Sequence, residues 1–353
     1  MKNKILPLAV ASLIFSSPAF AAPIDVKVGG YLKAYTNYTE QEDAGSDVRD
    51  FDILRRTEVH FDAKTKLDSG LTVGVHVEGI ADPGADFTVD ESLVYLSGEW
   101  GNINFGAKDG AAFLLQVAAP SADKDIDGVR QQIQPVNLTA FGLPVGETDY
   151  DQNISAKADK ITYITPVLSG FQAGISYTPE VEASRGTNGN SLDDDDTTAS
   201  TDVVDAAVRY ETKLSDVKIV TGAGFTNAKA ETGPLDDRQA WNIGATLGFG
   251  GLSVGAAYQV DDEGSDDDDV TYTVVGVDYK LPSNDKISLG ATYYNKDDQV
   301  GTEIETDRYT AGINYKYAPG IAFRSSVSHL TADADGGSEF EATSVVAGIL
   351  VDF

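Results

Sequence analysis

The stretch EATSVVAGILVDF, residues 341–353, ends the chain and decides the fold. Every second residue from position 343 belongs to one almost wholly apolar face, made of Thr343, Val345, Ala347, Ile349, Val351 and Phe353. The segment is shorter than the roughly 20 apolar residues of a transmembrane helix, but it fits a transmembrane strand of about 9 to 11 residues. A lone strand would leave backbone N–H and C=O groups unpaired in lipid. The last strand is therefore expected to pair with the first strand in a closed barrel.

Alternating segments of the same kind recur through residues 22–353 and predict sixteen strands. In the first strand Val26, Val28 and Tyr38 share one face, and Lys27 and Lys33 occupy the other. Aromatic residues stand at both ends of the apolar faces, as they do in the interfacial belts of membrane barrels. The pattern predicts an all-β protein, a transmembrane antiparallel β-barrel with short periplasmic turns and long extracellular loops. A soluble β-sandwich is the alternative.

The amino terminus and the charge indicate an exported, acidic chain. Residues 1–21 have a basic start, an apolar run from Ile5 to Phe15 and small residues before position 22, which is the pattern of a cleavable secretory signal. The formal net charge is −30 at pH 7, and removal of the signal, which contains Lys2 and Lys4 but no acid, makes the chain more acidic. Such a charge argues against a nucleic acid partner. The chain has no cysteine, so it contains no disulfide.

One connection is much longer than the others. Residues Asp109–Ala156 show no sustained alternation, and a loop of this length in a compact architecture is usually functional. Within it the apolar run Ala111–Leu115 is unexpected for a fully external loop. We expect this run to hold the loop against the barrel wall.

Several short motifs follow one another in a specific order: the turn Leu67–Leu71, Gly98–Gly101 leading to Phe105, the segment Tyr163–Phe171 and the terminal Phe353. In their order and spacing the chain resembles the sixteen-stranded general porins of Gram-negative bacteria. The resemblance implies an outer-membrane homotrimer in contact with lipid and lipopolysaccharide, and a passive diffusion channel for small hydrophilic solutes and ions. It also implies that the third loop, residues 109–156, folds inward and narrows the channel.

The carboxy terminus adds to this resemblance. Gly348, Val351 and Phe353 match the terminal signal that the barrel assembly machinery reads in outer-membrane barrels. Val346 departs from the pattern, because the family usually has a polar residue there. The machinery is thus an implied partner during insertion.

General porins oppose basic residues of the wall to acidic residues of the third loop. Matching positions gives the wall candidates Lys33, Arg55, Arg56 and Lys108, of which Arg55 has the wrong strand parity for the lumen. The loop candidates are Asp109, Asp123, Asp125, Asp127, Arg130, Glu147, Asp149 and Asp151. A charged lining between low-dielectric walls biases ion entry, and the acidic excess predicts a preference for cations. For each residue the alternative is an ordinary solvated loop charge.

The remaining candidates are acidic runs and histidines. Carboxylates can bind Ca²⁺ weakly, so candidate sites are Asp193, Asp194, Asp195, Asp196, Asp266, Asp267, Asp268 and Asp269. Neither run has the spacing of a tight calcium loop, which favours a solvated acidic loop, and no other cofactor is expected. His60, His76 and His329 fall on three different strands, and no catalytic motif occurs, so an enzyme is not expected. Two alternatives are a solute-selective channel and, less favoured, a barrel adhesin or enzyme.

Overall fold

The structure, a computed structural model, describes residues 22–42, 48–82, 86–181, 200–230, 236–335 and 338–353. The predicted signal, residues 1–21, and the run Asp193–Asp196 lie outside these ranges. The described residues form sixteen strands: β1 Asp25–Gln41, β2 Phe51–Lys66, β3 Thr72–Ile80, β4 Thr88–Gly98, β5 Gly101–Ala107, β6 Asp159–Ile164, β7 Phe171–Glu180, β8 Ser200–Leu214, β9 Val217–Ala230, β10 Arg238–Phe249, β11 Leu252–Asp261, β12 Val270–Lys280, β13 Ile287–Asp298, β14 Ile304–Ala318, β15 Ile321–Ala334 and β16 Ser338–Asp352.

The connection between β5 and β6 contains the helices α1, Ala111–Leu114, and α2, Lys124–Asp127, and the 3₁₀ helix Leu138–Phe141. None of the helices in the described ranges is long and apolar enough to cross a membrane.

Each strand pairs antiparallel with its neighbours in sequence, and β16 pairs with β1 to close the barrel. The closing register places Ala34 opposite Ile349 and Tyr38 opposite Val345. At the end of this seam the backbones of Gly30 and Phe353 exchange two hydrogen bonds of 3.0 Å. The closed sixteen-stranded barrel predicted from the terminal strand is thereby confirmed.

The two faces of the wall differ as the alternation predicts. On β1, Val26 is 66% and Val28 60% exposed, whereas Asn37 and Thr39 are buried inside the barrel. Exposed aromatic residues stand at both rims of the outer face, with Phe249 and Phe353 near the short turns and Tyr38 and Tyr309 near the long loops. Apolar residues outside and polar residues inside are the arrangement of a barrel in lipid around an aqueous lumen.

Candidate functional site

The connection between β5 and β6, residues 108–158, runs through the barrel, and we call it the lumenal loop. Its first part starts with α1, whose Ala111 and Ala112 are fully buried and whose following residue Leu115 is 5% exposed. A Cβ added to Gly174 on the inner face of β7 would lie 3.1 Å from the Ala111 side chain. The apolar run thus packs on the wall, as expected from the sequence.

A row of inward-facing glycines provides room for the loop to lie close to the wall. At Gly244 of β10 an added Cβ would lie 2.2 Å from the Val117 carbonyl oxygen, and at Gly290 of β13 it would lie 2.5 Å from the Ala122 amide nitrogen. Both distances are below van der Waals contact, so side chains at these positions would displace the loop backbone. The whole set, called the glycine row, is Gly174, Gly222, Gly224, Gly244, Gly255, Gly276, Gly290 and Gly312.

Apolar contacts hold the loop farther along. Ile126 and Ile133 pack against Tyr35 of β1 and against Val346 and Leu350 of β16. Burial of these side chains removes apolar surface from water and stabilises the docked loop.

A second apolar cluster lies nearer the long-loop rim. Val136, Leu138 and Leu143 pack there with Phe340 of β16, and the Phe141 and Phe340 ring centroids are 3.7 Å apart. Together the two clusters fix the middle of the loop to β1, β15 and β16.

Charged side chains add a specific attachment around α2. Asp125 accepts from the Tyr35 hydroxyl at 2.9 Å and lies 2.9 Å from Lys33 Nζ and 2.7 Å from Arg324 Nη1. Asp123 caps the start of α2 by accepting from the Asp125 amide at 3.1 Å, and it lies 3.2 Å from the same Arg324 nitrogen. Two of the predicted loop acids therefore meet one predicted wall cation, Lys33, and one cation that was not predicted, Arg324.

Glu147 is bound to strands β13 and β14. Its carboxylate is 2.8 Å from Lys296 Nζ and accepts from the Thr306 hydroxyl at 2.8 Å, while its backbone carbonyl accepts from the Tyr294 hydroxyl at 2.7 Å. Glu147 is 1% exposed, so these contacts replace the water that its charge would otherwise need.

Asp127 faces a buried arginine on β14. The Arg308 Nε lies 3.4 Å from its carboxylate, and both side chains are 2% exposed. The Arg308 guanidinium also lies 5.1 Å from the centroid of the Tyr294 ring. This ion pair is buried between the loop and the wall.

Arg130 joins the two ends of the loop. Its guanidinium lies 2.7 Å from Asp151 and 3.1 Å from Asp109, and it stacks 4.5 Å from the Phe113 ring centroid. Asp109 also accepts from the Asn153 amide at 3.0 Å. These contacts connect the beginning of the lumenal loop with its end.

Burial raises the pKa of Asp123, Asp127, Asp149 and Asp151 of the loop, most clearly at Asp149 and Asp123. Loss of water around Asp149 raises its pKa to about 7, although its carboxylate accepts a 2.6 Å hydrogen bond from the Gln131 amide. Burial likewise raises the pKa of Asp123 to about 6, and the nearby Arg324 limits the rise. The two carboxyl groups are thus protonated more readily than an ordinary aspartate.

The other predicted wall residues lie elsewhere. Arg56 pairs with Glu58 at 2.9 Å and with Asp82 at 3.3 Å, and Lys108 lies 2.7 Å from Glu91 of β4. The structure does not bring Arg55 into this group, because it is exposed on the face of β2 that points away from the lumen.

Within the described residues, three wall cations that pair with loop carboxylates were missed in the sequence: Lys296, Arg308 and Arg324. Strand parity could have indicated two of them. Arg308 precedes the outward-facing Tyr309, and Arg324 follows the outward-facing Phe323, so both had to point inward.

The remaining predicted residues are those of the terminal motif and of the acidic runs. Gly348 faces the lumen, and a Cβ there would lie 2.4 Å from the Tyr35 ring, so this glycine makes room for a residue that binds the loop. Val351 pairs with Leu32, and Phe353 is exposed at the short-turn rim. The residues Asp266, Asp267, Asp268 and Asp269 are all exposed between β11 and β12.

Comparison with known proteins gives a family and a fold. The family model for Gram-negative porins matches residues 8–335. An anion-selective porin from Comamonas acidovorans has a TM-score of 0.64 at 17% identity, over 94% of this chain and 100% of that one. OmpT of Vibrio cholerae, solved in a trimer form, has a TM-score of 0.63 at 14% identity, over 94% of this chain and 99% of that one.

A sequence relative is an uncharacterized protein of Rickettsia conorii, 28% identical over 34% of this chain and 38% of the relative. The chain thus spans well under half of that relative's length. The family model covers nearly all of the described barrel, and the fold agrees with it. The chain therefore belongs to the Gram-negative porins, the outer-membrane channel proteins.

Proposed function

We propose that the protein is a passive diffusion channel for small hydrophilic solutes and ions, in which the lumenal loop forms the constriction. The observation that carries this proposal is the fixed position of the loop inside the barrel, through the glycine row and the ion pairs of Asp125 and Glu147. A sixteen-stranded barrel is wide enough for an aqueous channel, and a loop attached across its interior narrows it. In this proposal the lining of the passage and its support are formed by Lys33, Arg56, Lys108 and the loop acids.

The first experiment is single-channel recording of the purified protein in a planar bilayer. Large stepwise openings that grow in proportion to salt concentration support a diffusion channel. Conductance that saturates, and that one class of solute blocks, would instead support a solute-selective channel. Folded protein that gives no openings would refute the proposal.

We also propose a preference for cations, which the reversal potential in a KCl gradient measures. The chain has 56 acidic against 26 basic residues, and four consecutive acids from Asp266 to Asp269 are exposed on the long-loop side. Clustered charge at a channel mouth concentrates counter-ions. Changing these four residues to asparagine should reduce the K⁺ preference, whereas changing the exposed Asp216 and Asp285, in short turns, should alter it less. A Cl⁻ preference in the unchanged protein would contradict the proposal.

The assembly proposed is a homotrimer embedded in lipid and lipopolysaccharide, inserted by the barrel assembly machinery. Its support is the family and the trimer form described for the Vibrio cholerae neighbour. Light scattering of the detergent complex, corrected for detergent, gives the protein mass and tests the trimer directly. A mass of one chain would refute it.

A further inference from the structure

Two of the three histidines stand together with carboxylates on the inner wall of β2, β3 and β4. The strand register places His60 opposite Glu78, and it places His76 opposite Asp62. Glu91 of β4 is opposite Glu78 on its other side. The pairing of strands therefore creates a cluster of nitrogen and oxygen ligands that is not evident in the sequence.

The distances within the cluster suit a metal ion. The Glu78 Oε2 atom lies 3.5 Å from His60 Nε2 and 3.4 Å from His76 Nε2, and His60 Nε2 lies 3.6 Å from Glu58 Oε2. Zn²⁺ binds nitrogen and oxygen ligands at about 2.0–2.2 Å, so two ligands of a tetrahedral ion stand about 3.3–3.6 Å apart. The observed separations are therefore close to the edges of a zinc coordination tetrahedron.

The Nε2 nitrogen of His60 is presented in the way that a metal requires. His60 Nε2 is buried and has no hydrogen-bond partner among the residues that the structure describes. His76 Nδ1 lies 2.8 Å from Asp62 Oδ1 and His76 Nε2 lies 3.4 Å from Glu78 Oε2, so the His76 ring connects Asp62 to Glu78 of the cluster. A ligating carboxylate is commonly hydrogen-bonded in this way by a neighbouring side chain.

Nearby cations favour one of two overlapping ligand groups. Glu91, in the group with His76 and Glu78, already lies 2.7 Å from Lys108 and 3.1 Å from Lys157. In the group of Glu58, His60 and Glu78, Arg56 contacts the Oε1 atom of Glu58, and Oε2 faces His60. This second group retains oxygen atoms for an ion.

We propose that Glu58, His60 and Glu78 bind a divalent transition-metal ion of the zinc class on the lumen wall. His76 stands beside the ion as a partner of the ligand Glu78, and Asp62 contacts the other nitrogen of the His76 ring. The imidazole selects against Mg²⁺ and Ca²⁺, which prefer sites made of oxygen alone. The site places a metal ion on the wall of the barrel, a role beyond passive diffusion.

The test is calorimetric titration of the untagged, detergent-solubilised protein with zinc chloride at neutral pH, with magnesium chloride as the comparison. We expect one Zn²⁺ per chain and no measurable heat from Mg²⁺. The variant His60→Gln should weaken Zn²⁺ binding by at least about 10-fold, because loss of even an outer-shell partner commonly costs 10–100-fold. Circular dichroism establishes that each variant retains its β-structure.

The third histidine provides a matched control. His329 is on the outer face of β15 and 41% exposed, so His329→Gln should bind Zn²⁺ as the unchanged protein does. The variant Asp62→Asn removes a partner of His76 but changes no ligand of the proposed group, so its Zn²⁺ affinity should stay close to that of the unchanged protein. Equal Zn²⁺ affinity in the unchanged protein and His60→Gln, or equal losses in His60→Gln and His329→Gln, would overturn the proposal. Calorimetry measures Zn²⁺ binding and not ion flow, so failure of the metal site can be distinguished from failure of the proposed channel.

Discussion

Replacing Gly244 with alanine is expected to move the lumenal loop away from the wall. The new Cβ would stand 2.2 Å from the Val117 carbonyl oxygen and 3.0 Å from the Val117 Cβ. Ordinary van der Waals contact begins near 3.4 Å, so the carbonyl must retreat by about 1.2 Å. Since β10 is held in the sheet by hydrogen bonds on both sides, the loop is the part that yields.

The energetic cost follows from overpacking, which typically destabilises a packed site by about 1–3 kcal/mol. If that cost acts on loop docking, the population of the undocked loop rises roughly 5- to 150-fold. Gly248 is the matched control because it lies on the same strand and the same face. The nearest described atom to an added Cβ there is the Lys218 Cβ at 3.7 Å, which is ordinary van der Waals contact, so alanine fits.

Hydrogen exchange followed by mass spectrometry measures this effect in the peptides that cover residues 111–122. Gly244→Ala should exchange faster there than the unchanged protein, and in single-channel recordings it should show altered conductance and greater current noise. Gly248→Ala should match the unchanged protein in both measurements. Equal behaviour of the two variants, whether both normal or both disturbed, would refute the steric role of the glycine row.

Two further perturbations act on the charges of the loop. Changing Lys296 to methionine leaves the Glu147 carboxylate, which is 1% exposed, without its nearest cation. Loop docking should weaken by about 3–5 kcal/mol, which is measured as faster hydrogen exchange near Glu147. The double variant with Glu147→Gln should be less affected, and an equal loss in the two variants would contradict the ion-pair explanation. For Asp149, burial raises the pKa to about 7, so the docked loop favours the protonated acid. This contribution is fully present below the ordinary pKa of about 4 and is lost as the pH rises through 7. The protection of the loop, which is its exchange rate relative to the intrinsic base-catalysed rate at each pH, should therefore fall between pH 5 and pH 8. Asp149→Asn should reduce that dependence, and an unchanged dependence in the variant would refute it.

The barrel could be predicted from the sequence because lipid on one side of the wall and water on the other require apolar and polar side chains to alternate along each strand. One slip in register would turn the apolar face of the closing strand, with Val345 and Ile349, into the lumen, so the alternation determines both the strand and its orientation. Closure followed from the need to pair every backbone group in lipid. The apolar run at Ala111 likewise indicated contact with the wall, since an external loop has no use for it.

The partners of the loop charges could not be predicted in the same way. Asp125 and Arg324 are about two hundred positions apart, and their contact depends on where the loop crosses the lumen. That crossing is set by glycines, which carry no side chain and therefore leave no hydrophobic pattern in the sequence. Matching to the family found Lys33, but only the folded wall brings Arg324 to the other side of the same carboxylate.

The distribution of these contacts has a consequence for selectivity. Loop carboxylates such as Asp125 and Glu147 are neutralised by cations of β1, β13 and β15, so they contribute little net charge to a passing ion. Groups on the inner face of β2 to β4, including His60 and Glu78, pair mainly among themselves and line a different part of the lumen. The charge that an ion meets there is therefore set by local pairing, and a bound metal ion would make this wall more positive. We therefore expect the net charge of the chain to act on ions chiefly through the long-loop rim, where Asp266 to Asp269 are exposed and form no ion pair with any residue that the structure describes.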